Sequence, residues 1–534
     1  DSSFLNSLDK DYELVIDTKT MTQFNDYIKN KESSTPKYGL NGTYDMLLFG
    51  FRDIYNEKAP INELSADAVL KFINETKQSA MFTHDTIYIN TSNNNSSQWT
   101  KKFQGITGQT TPQTNLGLNA PSTSTSITPV NDGLLTQYPF NLSVQDGRNT
   151  VASTHNQYFT LDLEDPSVTP WYNITGSNRD SNDSWNHYYT YSKGNVTYSG
   201  TGHIIGTSYK KTEATSFPKW EQKLFVNTMY RAFTGANHAP EITVHTPSDN
   251  SIKPSYQNQL VVSYTVDDWD LKDKNLFTSV KFKQNDNVIA GYIMNEKAIL
   301  SGETVTQTFN NPLPAGGNLQ IEITAWDKQG ALSTKIVNVT VQKIDSNLTI
   351  QRTQPSTTVE KGKPIIFTYT VTPNSVPYLA VDPGEQGINN LVISDVQFEE
   401  KFPPNLEFSE PLPDGMTKSG TLSTGYTLRK NLGNITYKLT ESNNVKSYTP
   451  ENSTTITFSL TAVPQEKKLY LLDNSKITYE DIHAEMLTFP GSNAPITSLG
   501  IANDYSIFML ENIDFRNFGF TNNWRIAAGG NIHI

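Results

Sequence analysis

Three stretches place groups capable of acid–base or metal chemistry directly behind apolar runs. His84 and Asp85 follow Ala80-Met81-Phe82-Thr83, Arg52 and Asp53 follow the run at 44–51, and His203 follows Gly200-Thr201-Gly202. An imidazole beside a carboxylate can act as a general base, and two imidazoles with a carboxylate can hold a metal ion. Four of the eight histidines (His84, His155, His187 and His203) fall in this first part of the chain. The competing reading is architectural: a histidine after a strand often bonds a loop backbone, and Asp53 or Asp85 can cap the segment that follows. Other chemistries are excluded. The chain has no cysteine, so it has no thiol nucleophile, no Cys-ligated zinc and no iron–sulfur cluster. Nor does it hold a G-x-S-x-G elbow, an H-E-x-x-H helix or a glycine-rich phosphate loop after its first strand.

The elements that must position these groups read as alternating strands and helices. Residues 12–16 form a short apolar run, and 21–30 carry Met21, Phe24 and Ile28 at helical spacing. The unbroken run at 44–51 predicts a central strand buried on both faces. Ser65 is placed to cap a helix presenting Val69, Leu70 and Ile73, and 80–83 return as a strand. Strand and helix in alternation predict a parallel sheet, and groups just past its strand ends share one crevice. Residues 91–128 dissolve into Asn, Ser, Thr, Gln and Gly, as in a surface insertion or a lid. Order returns at 157–159 and 194–200, and a helix beginning at Pro218 closes the module with Leu224, Phe225, Thr228, Met229 and Ala232 as its stripe.

After a linker at 235–240 the period changes to two. Short alternating runs at 260–266, 279–282, 319–325 and 336–341 predict one β-sandwich, and runs at 365–371, 391–396 and 455–460 predict a second. In the first sandwich, Asp267, Asp268, Asp270 and Asp327 stand just past strand ends. Carboxylates so placed suit a hard cation with oxygen ligands, here calcium. The alternative is a solvated loop with a turn.

Several stretches resemble known families. Lys193-Gly194-Asn195-Val196-Thr197-Tyr198-Ser199-Gly200-Thr201-Gly202-His203, then a helix with Phe225, Ala232 and Gly235, is similar to the end of a trehalose-utilisation-type module with a class I glutamine-amidotransferase-like fold. That resemblance implies a flavodoxin-like sheet with His203 at its crevice. Amidotransferases of that class need a cysteine nucleophile, so glutamine hydrolysis is excluded. The first sandwich resembles cadherin-like and Ig-like repeats of bacterial surface proteins, some of which bind calcium between modules. The second, with Val359-Glu360-Lys361-Gly362 leading into Phe367-Thr368-Tyr369-Thr370-Val371 and then Phe402-Pro403-Pro404-Asn405-Leu406-Glu407-Phe408, resembles a spacer repeat of bacterial wall proteins. The tail, with Asp504-Tyr505-Ser506-Ile507-Phe508-Met509-Leu510 and Trp524-Arg525-Ile526-Ala527-Ala528-Gly529-Gly530-Asn531, resembles the opening of a choice-of-anchor A domain, which starts a β-helical region; Trp524 stands where a glycine is usual.

The expected organisation is multidomain. A flavodoxin-like α/β module (1–236) precedes two all-β Ig-like sandwiches (237–344 and 345–495) and a short β tail (496–534). Formal charge is −12, and the lack of a basic block argues against a nucleic-acid partner. No window has the apolar length of a membrane span. A Thr-, Asn- and Tyr-rich chain without cysteine implies an exported, extracellular protein at the cell surface, a display, fibre or envelope component rather than an enzyme. Its partners would be other surface proteins, copies of itself or surface glycans. The rival expectation is a surface hydrolase or carbohydrate-binding module using a His84/His203 crevice. Sequons such as Asn41-Gly42-Thr43, Asn173-Ile174-Thr175, Asn195-Val196-Thr197 and Asn434-Ile435-Thr436 are read as polar surface.

Overall fold

The computed structural model describes residues 14–31, 39–51, 54–87, 97–110, 124–154, 160–176, 180, 183–203, 217–271, 274–382, 385–451, 455–473, 475–491, 496–498, 507–509, 513–514, 526–528 and 532–533. Its first body is a six-stranded mixed sheet. The strands are β1 (Met46–Phe49), β2 (Ser79–Thr83), β3 (Ile127–Pro129), β4 (Val168–Ile174), β5 (Tyr188–Lys193) and β6 (Val196–Ser199), in the order β1-β2-β6-β5-β4-β3. Strands β1, β2 and β6 run parallel, while β5, β4 and β3 add on antiparallel. The sheet therefore departs from the flavodoxin-like expectation over half its width. The run at 44–51 is corrected as well: only Met46–Phe49 is strand, it lies at the edge of the sheet among the described residues, and Leu48 is exposed. The fully buried positions are instead β2 and β6, flanked on both sides by pairing partners. Residues 14–16 of the expected first strand are irregular and Val15 is exposed; 12–13 lie outside the described residues.

Among the described residues, three helices of more than one turn cover this sheet. In α1 (Met21–Lys31), Met21, Phe24 and Ile28 are buried at the spacing read from the sequence. Thr20 and Gln23 cap it reciprocally: the Gln23 amide donates to Thr20 Oγ1 (3.2 Å) and the Thr20 amide to Gln23 Oε1 (2.9 Å). Helix α2 (Glu63–Asn74) is capped by Asn62, not by Ser65; the Ser65 amide donates to Asn62 Oδ1 at 2.7 Å. Helix α3 (Lys219–Thr234) starts just after Pro218 and buries Trp220, Leu224, Thr228 and Ala232, with Glu221 among them.

The first sandwich carries β7 (Glu241–Thr246), β8 (Ser251–Pro254), β9 (Gln259–Asp267), β10 (Asn275–Gln284), β11 (Asn287–Leu300), β12 (Glu303–Asn310), β13 (Gly317–Trp326) and β14 (Leu332–Gln342). Its sheets are β11-β10-β13-β14-β8 and β12-β9-β7. Alternation fills the space between them: Leu260, Val262, Tyr264 and Val266 face Leu319, Ile321, Ile323 and Ala325 across one core. Strand β14 is held on both sides, by antiparallel β13 and by parallel β8.

The second sandwich sets a four-stranded sheet (Leu348–Thr353, Ile365–Pro373, Ile456–Pro464, Leu406–Phe408) against a larger one built on Asn390–Phe402 and Gly425–Ser442. A small third sheet pairs Thr358–Val359 with Ile496–Ser498, so the chain at 496–498 completes this sandwich. Further on, Ile507–Met509 lies parallel to Ile526–Ala528, and Ile513–Asp514 parallel to Ile532–His533, with the same sequence separation in both pairs. Parallel strands at one fixed separation are the pattern of stacked coils. No helix among the described residues is long and apolar enough to cross a membrane.

Three of the sequon asparagines are structural. Asn41 receives the Leu332 amide (2.9 Å) and donates to the Gly330 carbonyl. Asn195 donates to the carbonyls of Ile73 (3.0 Å) and Gln78 (2.8 Å). Asn173 is buried in β4.

Candidate functional site

Strand β2 ends at Thr83 and the backbone turns sharply: His84 has φ 50°, a left-handed conformation that a non-glycine residue adopts at a cost. The turn is pinned from three sides. The Tyr198 hydroxyl at the end of β6 donates to the His84 carbonyl at 2.7 Å. The Ile54 amide, after β1, donates to Asp85 Oδ2 at 2.8 Å. Gly202 passes so close that a Cβ there would lie 2.3 Å from His84 Cδ2. Gly50 makes the matching approach on the other side: at φ 126° its Cβ would lie 2.2 Å from Thr83 Oγ1.

These constraints bring together three of the four residues read as a crevice. The rings of His84 and His203 meet edge to face with centroids 4.7 Å apart. Asp85 Oδ1 is 3.6 Å from His84 Nδ1. His84 and Asp85 are buried and His203 is half-buried. Asp53 lies outside the described residues, as do Arg52 and His155. The Tyr198 phenol is held far on its protonated side, first by burial and then by neighbouring Tyr191 and Asp85, so it acts as a donor. The arrangement can orient an imidazole pair against a carboxylate. Among the described residues no group of three or more His, Asp or Glu is set to hold a metal ion. We expect Gly202→Ala to drive the two rings apart and to lower stability by about 1–3 kcal/mol, the range of overpacking in a tight site. A denaturant titration, with the imidazole resonances followed by NMR, checks both effects.

Three of the four aspartates read as a calcium site accept hydrogen bonds from the protein itself. Asp327 accepts the amides of Gln329 (2.8 Å) and Ala331 (3.0 Å) and the side chain of Asn237 (2.5 Å). Asp270 receives the His238 amide (2.9 Å) and faces His238 Nδ1 (2.8 Å). Asp268 accepts the Asp270 amide (2.7 Å), and Asp267 is exposed. Asp270 and Asp327 thus grip His238 and Asn237 in the linker. Burial disfavours the His238 imidazolium, but the bond and charge of Asp270 outweigh it and raise the pKa above the ordinary histidine value.

Glu221 and Glu400 are buried carboxylates that the sequence reading did not single out. Glu221 sits 1 % exposed in the apolar stripe of α3 and accepts the Ala152 amide (2.7 Å) and the Tyr189 hydroxyl (2.9 Å). Burial pushes its carboxyl up to about 7, against the pull of those bonds. The folded chain therefore holds this proton more tightly than the unfolded one. Its contribution is fully present below the ordinary value of 4.5 and is lost as pH rises toward about 7. We expect stability relative to Glu221→Gln to fall by about 3 kcal/mol across that window, at roughly 1.4 kcal/mol per unit. Unfolding midpoints of both proteins against pH measure it. The second carboxylate, Glu400, is paired with Arg352 inside the second sandwich.

No family model and no curated protein matches this chain. Among solved structures, the C-terminal domain of the Streptococcus agalactiae AgI/II polypeptide BspA aligns at 8% identity and TM-score 0.21, covering 48% of this chain and 100% of that one. The C-terminal domain of the Streptococcus pyogenes antigen I/II-family protein AspA aligns at 8% and 0.20, covering 49% and 99%. Fibronectin(III)-like modules of Clostridium thermocellum CbhA align at 13% and 0.15, covering 48% and 94%. At such scores these likenesses carry no functional argument.

Proposed function

We propose that the chain is a structural and adhesive component displayed at the cell surface, in which the sandwiches act as stiff spacers behind the N-terminal body. One observation carries this reading: consecutive modules are locked to each other through buried contacts instead of hanging on free linkers. The 235–240 segment is gripped by Asp270 and Asp327. Asn41 of the first body bonds β14's entry, and a Cβ on Gly42 would lie 2.4 Å from Leu332 Cδ1. Tyr256 of the first sandwich is buried in the core of the second. A rod that holds a head at a set distance needs such joints, whereas a chain of independent binding modules does not. Secretion, extracellular location and the choice among surface proteins, self-association and glycans as partners belong to this proposal. The test is labelling of intact source cells with antibody to the first sandwich, together with small-angle scattering of the purified chain. Strong labelling and a scattering profile fitted by one fixed arrangement support display; unlabelled cells or a profile that requires freely moving modules would overturn it.

A second reading rests on the convergence of His84, Asp85 and His203: a surface hydrolase or carbohydrate-binding crevice. Glycan-array binding or glycoside release lost in His203→Ala supports it. Equal signal from both proteins would remove it.

A further inference from the structure

We propose that Lys253 and Asp382 form an amide cross-link between the two sandwiches, with Glu385 as the proton carrier. Lys253 lies on β8 of the first sandwich, with its side chain 1 % exposed. Asp382 and Glu385 belong to the second. Lys253 Nζ is 2.7 Å from Asp382 Oδ2, an ion contact that already holds the amine against the carboxyl group it must attack. It is in still closer contact with Glu385 Oε2.

Three further observations set these groups apart from an ordinary ion pair. The Glu385 side chain is also 1 % exposed, and its Oε1 is buried without a hydrogen-bond partner. A buried carboxylate oxygen left unpaired is costly, and it is a place for a travelling proton. The Ser248 amide donates to Asp382 Oδ2 at 3.1 Å, so it polarises the carboxyl and would stabilise the oxyanion of a tetrahedral intermediate. The Asp382 amide donates to Glu385 Oε2 at 3.3 Å, tying acyl group and carrier into one unit. Gln257 Nε2 also donates to Glu385 Oε2, at 3.5 Å, and its chain neighbour Tyr256 is buried in the core of the second sandwich.

The reaction balances without a cofactor. The Lys253 ammonium gives one proton to Glu385, which passes it to the Asp382 carboxylate. The neutral amine attacks Cγ. The second proton leaves nitrogen through Glu385 and joins the departing hydroxyl, so one C–N bond forms, one C–O bond breaks and one water is released. Condensation replaces a buried ammonium–carboxylate pair, whose desolvation is costly, by a neutral amide. Asp382 is the acyl partner because Ser248 polarises it and because it is the more exposed of the two (16 % against 1 %), leaving water a way out.

The experiment is the intact mass of the full chain under denaturing conditions, followed by proteolysis and peptide sequencing. The expected result is a chain lighter by one water, with a single branched peptide joining Lys253 to Asp382. Glu385→Gln should show the full sequence mass, and Asp382→Ala likewise. Asp382→Asn should reach the native product mass, because the same amide forms with loss of ammonia, which separates failed chemistry from failed folding. A wild-type chain at full mass with two separate peptides leaves an ion triad only and overturns the proposal. A branch from Lys253 to Glu385 overturns the assigned roles, as does a Glu385→Gln chain that is still one water lighter.

Discussion

Arg352→Met should lower the stability of the second sandwich by about 3–5 kcal/mol, the usual consequence of removing one partner from a buried ion pair. Arg352 and Glu400 are in direct contact, and their side chains are 1% and 0% exposed. The Tyr369 hydroxyl donates to Glu400 Oε2 at 2.6 Å, and the guanidinium lies 5.7 Å from the Phe367 ring centre. Burial holds the Glu400 carboxyl up at about 7 although Arg352 beside it pulls the other way. Without Arg352 that carboxyl must either stay charged among Tyr369, Phe398 and Phe402 or take up a proton. The double variant Arg352→Met with Glu400→Leu should recover most of the loss, since two apolar side chains fill the space without leaving a stranded charge. Guanidinium unfolding of the three proteins decides this. Equal destabilisation of the single and double variants would mean that shape, not charge, governs the position.

The second large effect is expected at Tyr256. It leaves the first sandwich just past β8, and its ring is 2 % exposed within the core of the second. The ring meets Tyr448 edge to face at 5.4 Å. Its hydroxyl donates to the Pro377 carbonyl (3.2 Å) and accepts the Leu379 amide (3.2 Å). Tyr256→Ala should cost about 3–5 kcal/mol through the cavity it opens. It should also split a shared calorimetric transition of the two sandwiches into separate ones. Tyr256→Phe keeps the ring and should lose only about 1 kcal/mol, the net worth of hydroxyl bonds. Identical thermograms for Tyr256→Ala and wild type would show that the joint carries no energy.

Much of this could be read in advance where a periodicity applied. The helix at Met21, Phe24 and Ile28 follows from spacing alone, and the alternation in β9 and β13 identified a sandwich. Two of the buried carboxylates were not singled out, although the same periods place them inside. Glu400 shares the inward face with Phe398 and Phe402 on a strand of period two, and Glu221 stands beside Trp220 in a helical stripe. Strands β3, β4 and β5 were missed for a physical reason. Their inward side chains include Tyr188, Tyr189, Tyr191 and Asn173, which are buried yet read as polar. The apolar run at 44–51 misled in the opposite sense, because Phe49 is covered by Phe24 and Trp99 from helical segments, not by a strand on its far side. Of the candidate site residues, His84, Asp85 and His203 lie together because strand ends converge. For the aspartates at 267, 268, 270 and 327, spacing does not say whether a carboxylate faces a cation or an amide; Asp268, Asp270 and Asp327 accept backbone amides. The Lys253 triad was beyond reach, since Lys253 is far in sequence from Asp382 and Glu385 and meets them only when two modules dock.

The way β14 is held has a mechanical consequence. The chain enters the first sandwich through β7 in one sheet and leaves it through β14 in the other, so tension between neighbouring modules crosses the core. On the exit side, β14 is bonded along its length to β13 and over its last residues to parallel β8. Those hydrogen bonds lie crosswise to a pull along the strand. They must therefore fail together in shear rather than open one after another like a zip, and a sandwich loaded in this direction yields late and abruptly.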